Sequence, residues 1–386
     1  ARESGDVSIE ASTKFGDARV FVDDSDVIAK AGNSTEVSIA ALSLFGDAKV
    51  SVDDTDVIAR AGKSSEVLIE AETTFGDARV WVEDSDVIAT GDNWGFVAVG
   101  ATTDKGTAVV GIEGSQVMAE YDVEASAAST KFGSAKIKVI DSQIEATNDS
   151  VALVATANGW KSDAEISVMT TEAAETPTTI TAGTDIELIA ESDDDARITI
   201  ATLLPADAED PALTTFTAGN DVNVTINAKD DAKLWVQSSE FVAGNAGLNA
   251  MLWSKRGDVK VTVVDSEITG GSKGLNVDAD VKKDGDVKMY IAGNTISALD
   301  NRGVALKLDA AVGDDGDIKV NVRGNTVSAD AQDGDAVDIA ATVGDDGNVK
   351  INVDDNTVTG FRRGVVVDAD VNGAGNILVG VKGNTV

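Results

Sequence analysis

The chain has no cysteine and no histidine, and only three prolines and two tyrosines. Without cysteine there is neither a disulfide nor a thiolate metal ligand, and without histidine there is neither an imidazole base nor an imidazole ligand. An extracellular protein lacking disulfides must hold its shape by packing alone, or must cross a membrane unfolded. No run of 18 apolar residues occurs, so no segment reads as a transmembrane helix. Neither a signal peptide nor an initiator methionine is present, which reads as a mature product or an excised segment. Basic residues are scarce, 31 against 67 acidic ones, for a net charge of −36. That excess keeps a secreted chain soluble, suits a saline medium, and repels nucleic acid and anionic membranes.

What is abundant is self-similarity. FGDARVFVDDSDVIAKAG begins at Phe15, FGDAKVSVDDTDVIARAG at Phe45 and FGDARVWVEDSDVIATG at Phe75, a period of 30 residues. A looser version continues as GDVKMYIAGNTIS from Gly285, GDIKVNVRGNTVS from Gly316 and GNVKINVDDNTVT from Gly347. Recurrence at this interval marks a solenoid, in which one continuous core can have any length. Apolar and polar residues alternate in short Val-, Ile-, Thr- and Ala-rich runs separated by Gly, Asp, Asn and Ser, a pattern of strands and turns.

One unit divides into strand A (18–23), strand B (27–31) and strand C (36–42). Three short strands per turn with no helical stretch predict an all-β right-handed parallel β-helix of about thirteen coils. Strand A is expected to begin at Ala18, Ala48, Ala78, Ala108, Ala135, Ala164, Ala196, Ala232, Val259, Val287, Ile318, Val349 and Ile377. The whole chain, 1–386, then reads as one β-helix: regular 30-residue repeats over 1–134, irregular coils over 135–256, and 28–31-residue GNT-type repeats over 257–386.

Stacking turns each motif position into a column. The position two before strand A is Gly in ten coils, which a repeated turn with positive φ would explain. Asp follows in nine coils, and two residues further on comes Arg or Lys in ten, so acidic and basic columns run side by side and neutralise one another. A polysaccharide track is the rival reading of the basic column. Ser25, Thr55, Ser85, Ser115, Ser142, Ser239, Ser266, Asn294, Asn325, Asn356 and Asn384 form a hydrogen-bonding ladder before strand B. Phe15, Phe45, Phe75 and Phe132 share one corner and read as a core column.

The GNT-[IV] turns at Gly293, Gly324 and Gly383, with DNTV at Asp355, resemble the coil turns of right-handed β-helix proteins. With the absence of cysteine, they are similar to passenger or stalk regions of bacterial autotransporter and two-partner-secreted adhesins. The resemblance implies an extracellular or cell-surface location and a β-helix that acts as a spacer, holding a binding region away from the cell.

Candidate sites follow from departures from the repeat. The prolines fall near 171–177 (Pro177) and 204–212 (Pro205, Pro211), two inserted loops that also carry Glu172, Glu175, Asp207, Glu209 and Asp210. Outward aromatics on strand A, Phe21, Trp81, Trp235 and Tyr290, with Lys233 and Lys288, are the candidates for stacking against a glycan. Ile28, Ile58, Ile88 and Met118 on strand B form an outward apolar ridge for a partner chain. Asp284, Asp315 and Asp346 recur at one turn, a weak calcium candidate without an EF-hand or a calcium-roll motif. No carboxylate pair stands out from the acidic background, so no catalytic residue is assigned and no cofactor is required.

These features point to a structural rod or stalk of an extracellular bacterial adhesin or biofilm matrix protein. The start and end of the chain within strand B suggest either flanking coils in a longer protein or self-association end to end into fibres. A polysaccharide-binding or lyase-type polysaccharide-degrading β-helix is the alternative.

Overall fold

The structure, a computed structural model, describes residues 4–172, 174, 176–203, 213–300, 302–329, 334–360 and 362–386. It is the all-β right-handed parallel β-helix expected, with three sheets of thirteen, thirteen and twelve strands and about thirteen coils. The described residues cluster into two compact units, Ala1–Asp193 with Leu203–Thr214, and Asp194–Thr202 with Thr215–Val386. Thirteen strands begin at the thirteen residues expected for strand A, from Ala18–Asp23 to Ile377–Lys382. Strand B of the first coil starts one residue early, at Asp26. Strand C is longer than its apolar pattern and runs Ser34–Phe45 in the same coil, because parallel pairing to the neighbouring coils continues past the last inward side chain.

In the first unit strands pair in parallel with their counterparts one coil away, in register except for a shift between Thr103 and Lys105. Ala18 faces Ala48, Val20 faces Val50 and Val22 faces Val52. Alternate residues point inward, so Ala48, Val50, Val52, Val57, Ala59, Val37 and Ile39 are fully buried. β-Branched residues suit this surface because their side chains are already restricted about χ1 and pack against the same residue in the next coil. The second unit repeats the arrangement with larger fillings, including Phe216 stacked on Phe241 at 4.9 Å between ring centres and wholly buried.

The corners are stitched by side chains. The Ser43, Thr73 and Thr103 hydroxyls donate to the carbonyls of Gly16, Gly46 and Gly76 at 2.8, 2.8 and 2.9 Å. Before strand B, the Thr55, Ser85 and Ser115 backbone N–H groups donate to the hydroxyls of Ser85, Ser115 and Ser142. Thr178, which the repeat pattern did not mark, takes the next place in that ladder, since Thr179 is in register with Gln143.

In the second unit the same column is built from amides. Asn325 Oδ1 accepts from Asn294 N and Asn294 Nδ2 at 2.9 and 3.0 Å, while Asn325 Nδ2 donates to Asn356 Oδ1 and the Ile291 carbonyl at 2.9 and 3.0 Å.

Two expectations about the corners change. The glycine column does turn through positive φ at Gly16, Gly46, Gly76, Gly106, Gly133 and Gly285, but not at Gly257, Gly316, Gly347 or Gly375. Close approach is the more general reason for glycine there: a methyl group on Gly316, Gly347 or Gly375 would overlap the carbonyl oxygen of the glycine one coil earlier. The phenylalanine column is not core. Phe15 is 72% exposed and Phe45 41% exposed, and the rings of Phe15, Phe45 and Phe75 stack on one another at 5.3 and 4.9 Å outside the coil. Alternation breaks at this corner, where two consecutive residues before each glycine face outward. Lys105 stands in the column between Phe75 and Phe132, its ammonium 4.6 Å from the Phe75 ring centre.

Candidate functional site on the outward face of strand A

Strand A presents three outward positions per coil, and parallel register brings the first two into a basic and an aromatic-rich column. In the first unit Arg19, Lys49 and Arg79 fill the first column, and Phe21, Ser51 and Trp81 the second. In the second unit Arg197, Lys233, Lys260, Lys288, Lys319 and Lys350 lie in unbroken succession. Beside them run Thr199, Trp235, Thr262, Tyr290, Asn321 and Asn352. Both units thus carry an aromatic–hydroxyl–aromatic run, Phe21–Ser51–Trp81 and Trp235–Thr262–Tyr290.

The acidic column preceding strand A has a structural task. The Oδ1 atoms of Asp17, Asp47 and Asp77 accept the backbone N–H of the residue one coil on, at 3.1, 3.0 and 2.9 Å. Asp195, Asp231, Asp258 and Asp286 do the same at 2.9–3.0 Å. The second oxygen is left for the basic column, and Arg19 and Arg79 bond Asp17 and Asp77, each at 2.6 Å. The backbone donor and the guanidinium together hold the Asp17 carboxyl below its ordinary value.

The candidates of the first unit have partners in the neighbouring coil. Lys49 lies over the Phe21 ring at 5.1 Å while Phe21 itself stays 61% exposed, and the Trp81 indole covers Gly111, where any β-carbon would collide with it. Trp81 is half-buried as a result.

The second unit differs. Trp235 and Tyr290 are 51% and 44% exposed. Lys288 bonds both Asp286 and Asp258, at 2.9 and 3.2 Å, and the Asp286 hydrogen bond is the main reason its ammonium is held above the ordinary lysine value. Lys233 pairs with Asp231 at 2.8 Å. Burial alone would raise Asp231, but the Lys233 ammonium and the Asp258 backbone N–H outweigh it and hold that carboxyl low. Arg197, Lys260, Lys319 and Lys350 are exposed and have no ion-pair partner within 4.0 Å among the described residues. Arg197, Lys233, Leu234, Trp235, Lys260 and Thr262 line a depression of about 240 Å³. Of these, the candidate set drawn from the sequence contained only Lys233 and Trp235. The open cations belonged to a repeating column, and nothing local distinguished them from their paired neighbours.

The remaining candidates are placed as follows. Ile28, Ile58, Ile88 and Met118 do stack outward along strand B, but Ile58 is only 8% exposed, covered by its neighbours in the ridge. Asp284, Asp315 and Asp346 sit at successive turns. The Asp315 and Asp346 carboxylates accept the backbone N–H of Asp346 and Ala374 at 3.1 and 2.6 Å, and no group of three such side chains among the described residues converges to hold a metal ion. The 204–212 loop, with Asp207, Glu209 and Asp210, lies outside the described residues, as does Glu175. The strands that flank the two inserted loops are tied at Thr170, whose hydroxyl accepts from Thr178 N at 2.9 Å and from Thr214 Oγ1 at 3.0 Å.

Comparison with known proteins returns no matching family model, no matching curated protein and no matching solved structure.

Proposed function

We propose that this chain is a structural element, a stiff β-helical stalk of an extracellular bacterial adhesin or matrix protein. The observation that carries the reading is the continuity of side-chain ladders within each unit. Carboxylates, hydroxyls and amides that could serve a reaction are instead committed to backbone groups one coil away. A scaffold needs this arrangement, since within each unit neighbouring coils are clamped by backbone pairing and by corner ladders.

Limited trypsinolysis tests the stiffness. The basic residues of strand A are open to solvent, yet cleavage there requires a coil to leave the stack, so the coils should survive prolonged digestion at 25 °C. Rapid cutting at Lys260 or Lys319 would sink the reading. Electron microscopy at micromolar concentration, with and without calcium, then separates filaments from isolated particles.

A further inference from the structure

We propose that Arg197, Lys233, Lys260, Trp235 and Thr262 form a binding site for a linear polysaccharide bearing carboxylate groups. This goes beyond the structural reading and does not depend on it.

Three cations project from three successive strands at the first outward position, in register. Their spacing along the column is that of adjacent strands, about 4.8 Å. Only Lys233 has an ion-pair partner among the described residues. In a chain of net charge −36, open cations next to one another carry a repulsion that a ladder built only for neutrality would remove. The first unit shows what that looks like, with Arg19 and Arg79 each bound to an aspartate and Lys49 resting on Phe21. At physiological salt the screening length is about 8 Å, so an incoming ligand senses the open Arg197 and Lys260 more than charges elsewhere on the surface.

Beside the cations Trp235 presents an indole free to stack on the apolar face of a sugar ring. The Thr262 hydroxyl one coil on can both donate and accept, and Tyr290 follows one coil further. The Asp231 and Asp258 carboxylates are each held by a backbone N–H and a lysine, so the ligand's hydroxyl groups fall to the Thr262 and Tyr290 hydroxyls. Cations for carboxylates, acceptors for hydroxyls and a ring for stacking together match a uronate polymer lying across successive coils.

The test is titration calorimetry with a hexameric oligouronate, against a neutral glucan hexamer and an oligothymidylate of equal charge. The oligouronate should bind more tightly than either, and its affinity should fall as salt rises. Trp235→Ala should weaken binding about fivefold to tenfold, as expected for loss of a stacked ring, and Lys260→Ala should weaken it and flatten the salt dependence. Phe21→Ala, removing an exposed ring in the first unit whose neighbouring Arg19 and Arg79 are already paired with aspartates, should change nothing. Both site residues are exposed, so circular dichroism should match that of the unmodified chain. Failure of the oligouronate to bind, tighter binding of the glucan or of the oligothymidylate, or equal affinity in the Trp235→Ala protein would overturn the proposal.

Discussion

Replacing Asn325 with alanine probes the ladder that closes the corners of the second unit. Asn325 is 1% exposed, and its side chain makes four hydrogen bonds of 2.9–3.0 Å. Asn294 Nδ2 keeps the Val263 carbonyl and Asn356 Oδ1 keeps the Asn325 backbone N–H. The Asn294 backbone N–H and the Ile291 carbonyl lose these side-chain partners inside the corner. A buried polar group left without a partner costs about 1–3 kcal/mol, so the substitution should destabilise the second unit by about 3–5 kcal/mol. Asn325→Ser is the control. Its hydroxyl can take the Asn294 N–H, as the Ser266 hydroxyl takes the Ser239 N–H at 3.2 Å, so the loss should be nearer 1–2 kcal/mol, about what two ordinary hydrogen bonds contribute. Urea unfolding followed by circular dichroism and by tryptophan fluorescence measures both. The two probes also reveal whether one unit unfolds before the other, which a repeat protein permits. If Asn325→Ala shifts stability by less than about 1 kcal/mol, or no more than Asn325→Ser, the ladder is not what closes the corner.

Four further outcomes follow from the geometry. Gly347→Ala places a methyl group against the Gly316 carbonyl and should lower the thermal midpoint much more than Gly16→Ala, which meets no neighbour and suffers only from its φ of 103°; equal losses would refute the close-approach account. The second unit should lose stability in acid: the Arg363 hydrogen bond holds the Asp335 carboxyl below its unfolded value of about 3.9, so its contribution is present above that pH and disappears as pH falls through the lower folded value. Asp338 has the opposite sign, raised by burial and then by Asp335 and Asp309, so Asp338→Asn should stabilise the unit at pH 7 with a gain that vanishes toward pH 3, as midpoints across that range would show. Added salt should raise the midpoint of the first unit, where burial and then the charges of Asp53, Glu113 and Asp84 push the Glu83 carboxyl up; an unchanged or lower midpoint in 1 M sodium chloride would contradict it.

Much of the fold was legible in the residues because a solenoid writes the same local instruction repeatedly. Period-two alternation of Val, Ile and Ala identified the strands, and the recurring glycine aligned ten of the thirteen strand A starts. The Ser, Thr and Asn column named its own ladder, because a residue repeated at coil spacing must lie next to its own copy. What required tertiary structure was everything set by the contact between coils 27 to 36 residues apart. Gly316 and Gly347 are glycine because of the carbonyl beneath them and not because of φ. The phenylalanine column, which the repeat assigned to the core, lies outside because alternation breaks at that corner.

The candidate site divides in the same way. Sequence determined that Lys, Arg and aromatic residues would share the outward face of strand A. Only the folded chain decided that Trp81 is spent covering Gly111, that Lys288 is held by two aspartates, and that Arg197 and Lys260 are left open beside Trp235. A column position is fixed by backbone register, which the repeat encodes. The partner each side chain takes depends on its rotamer and on the residue in the adjacent coil, and those vary from coil to coil.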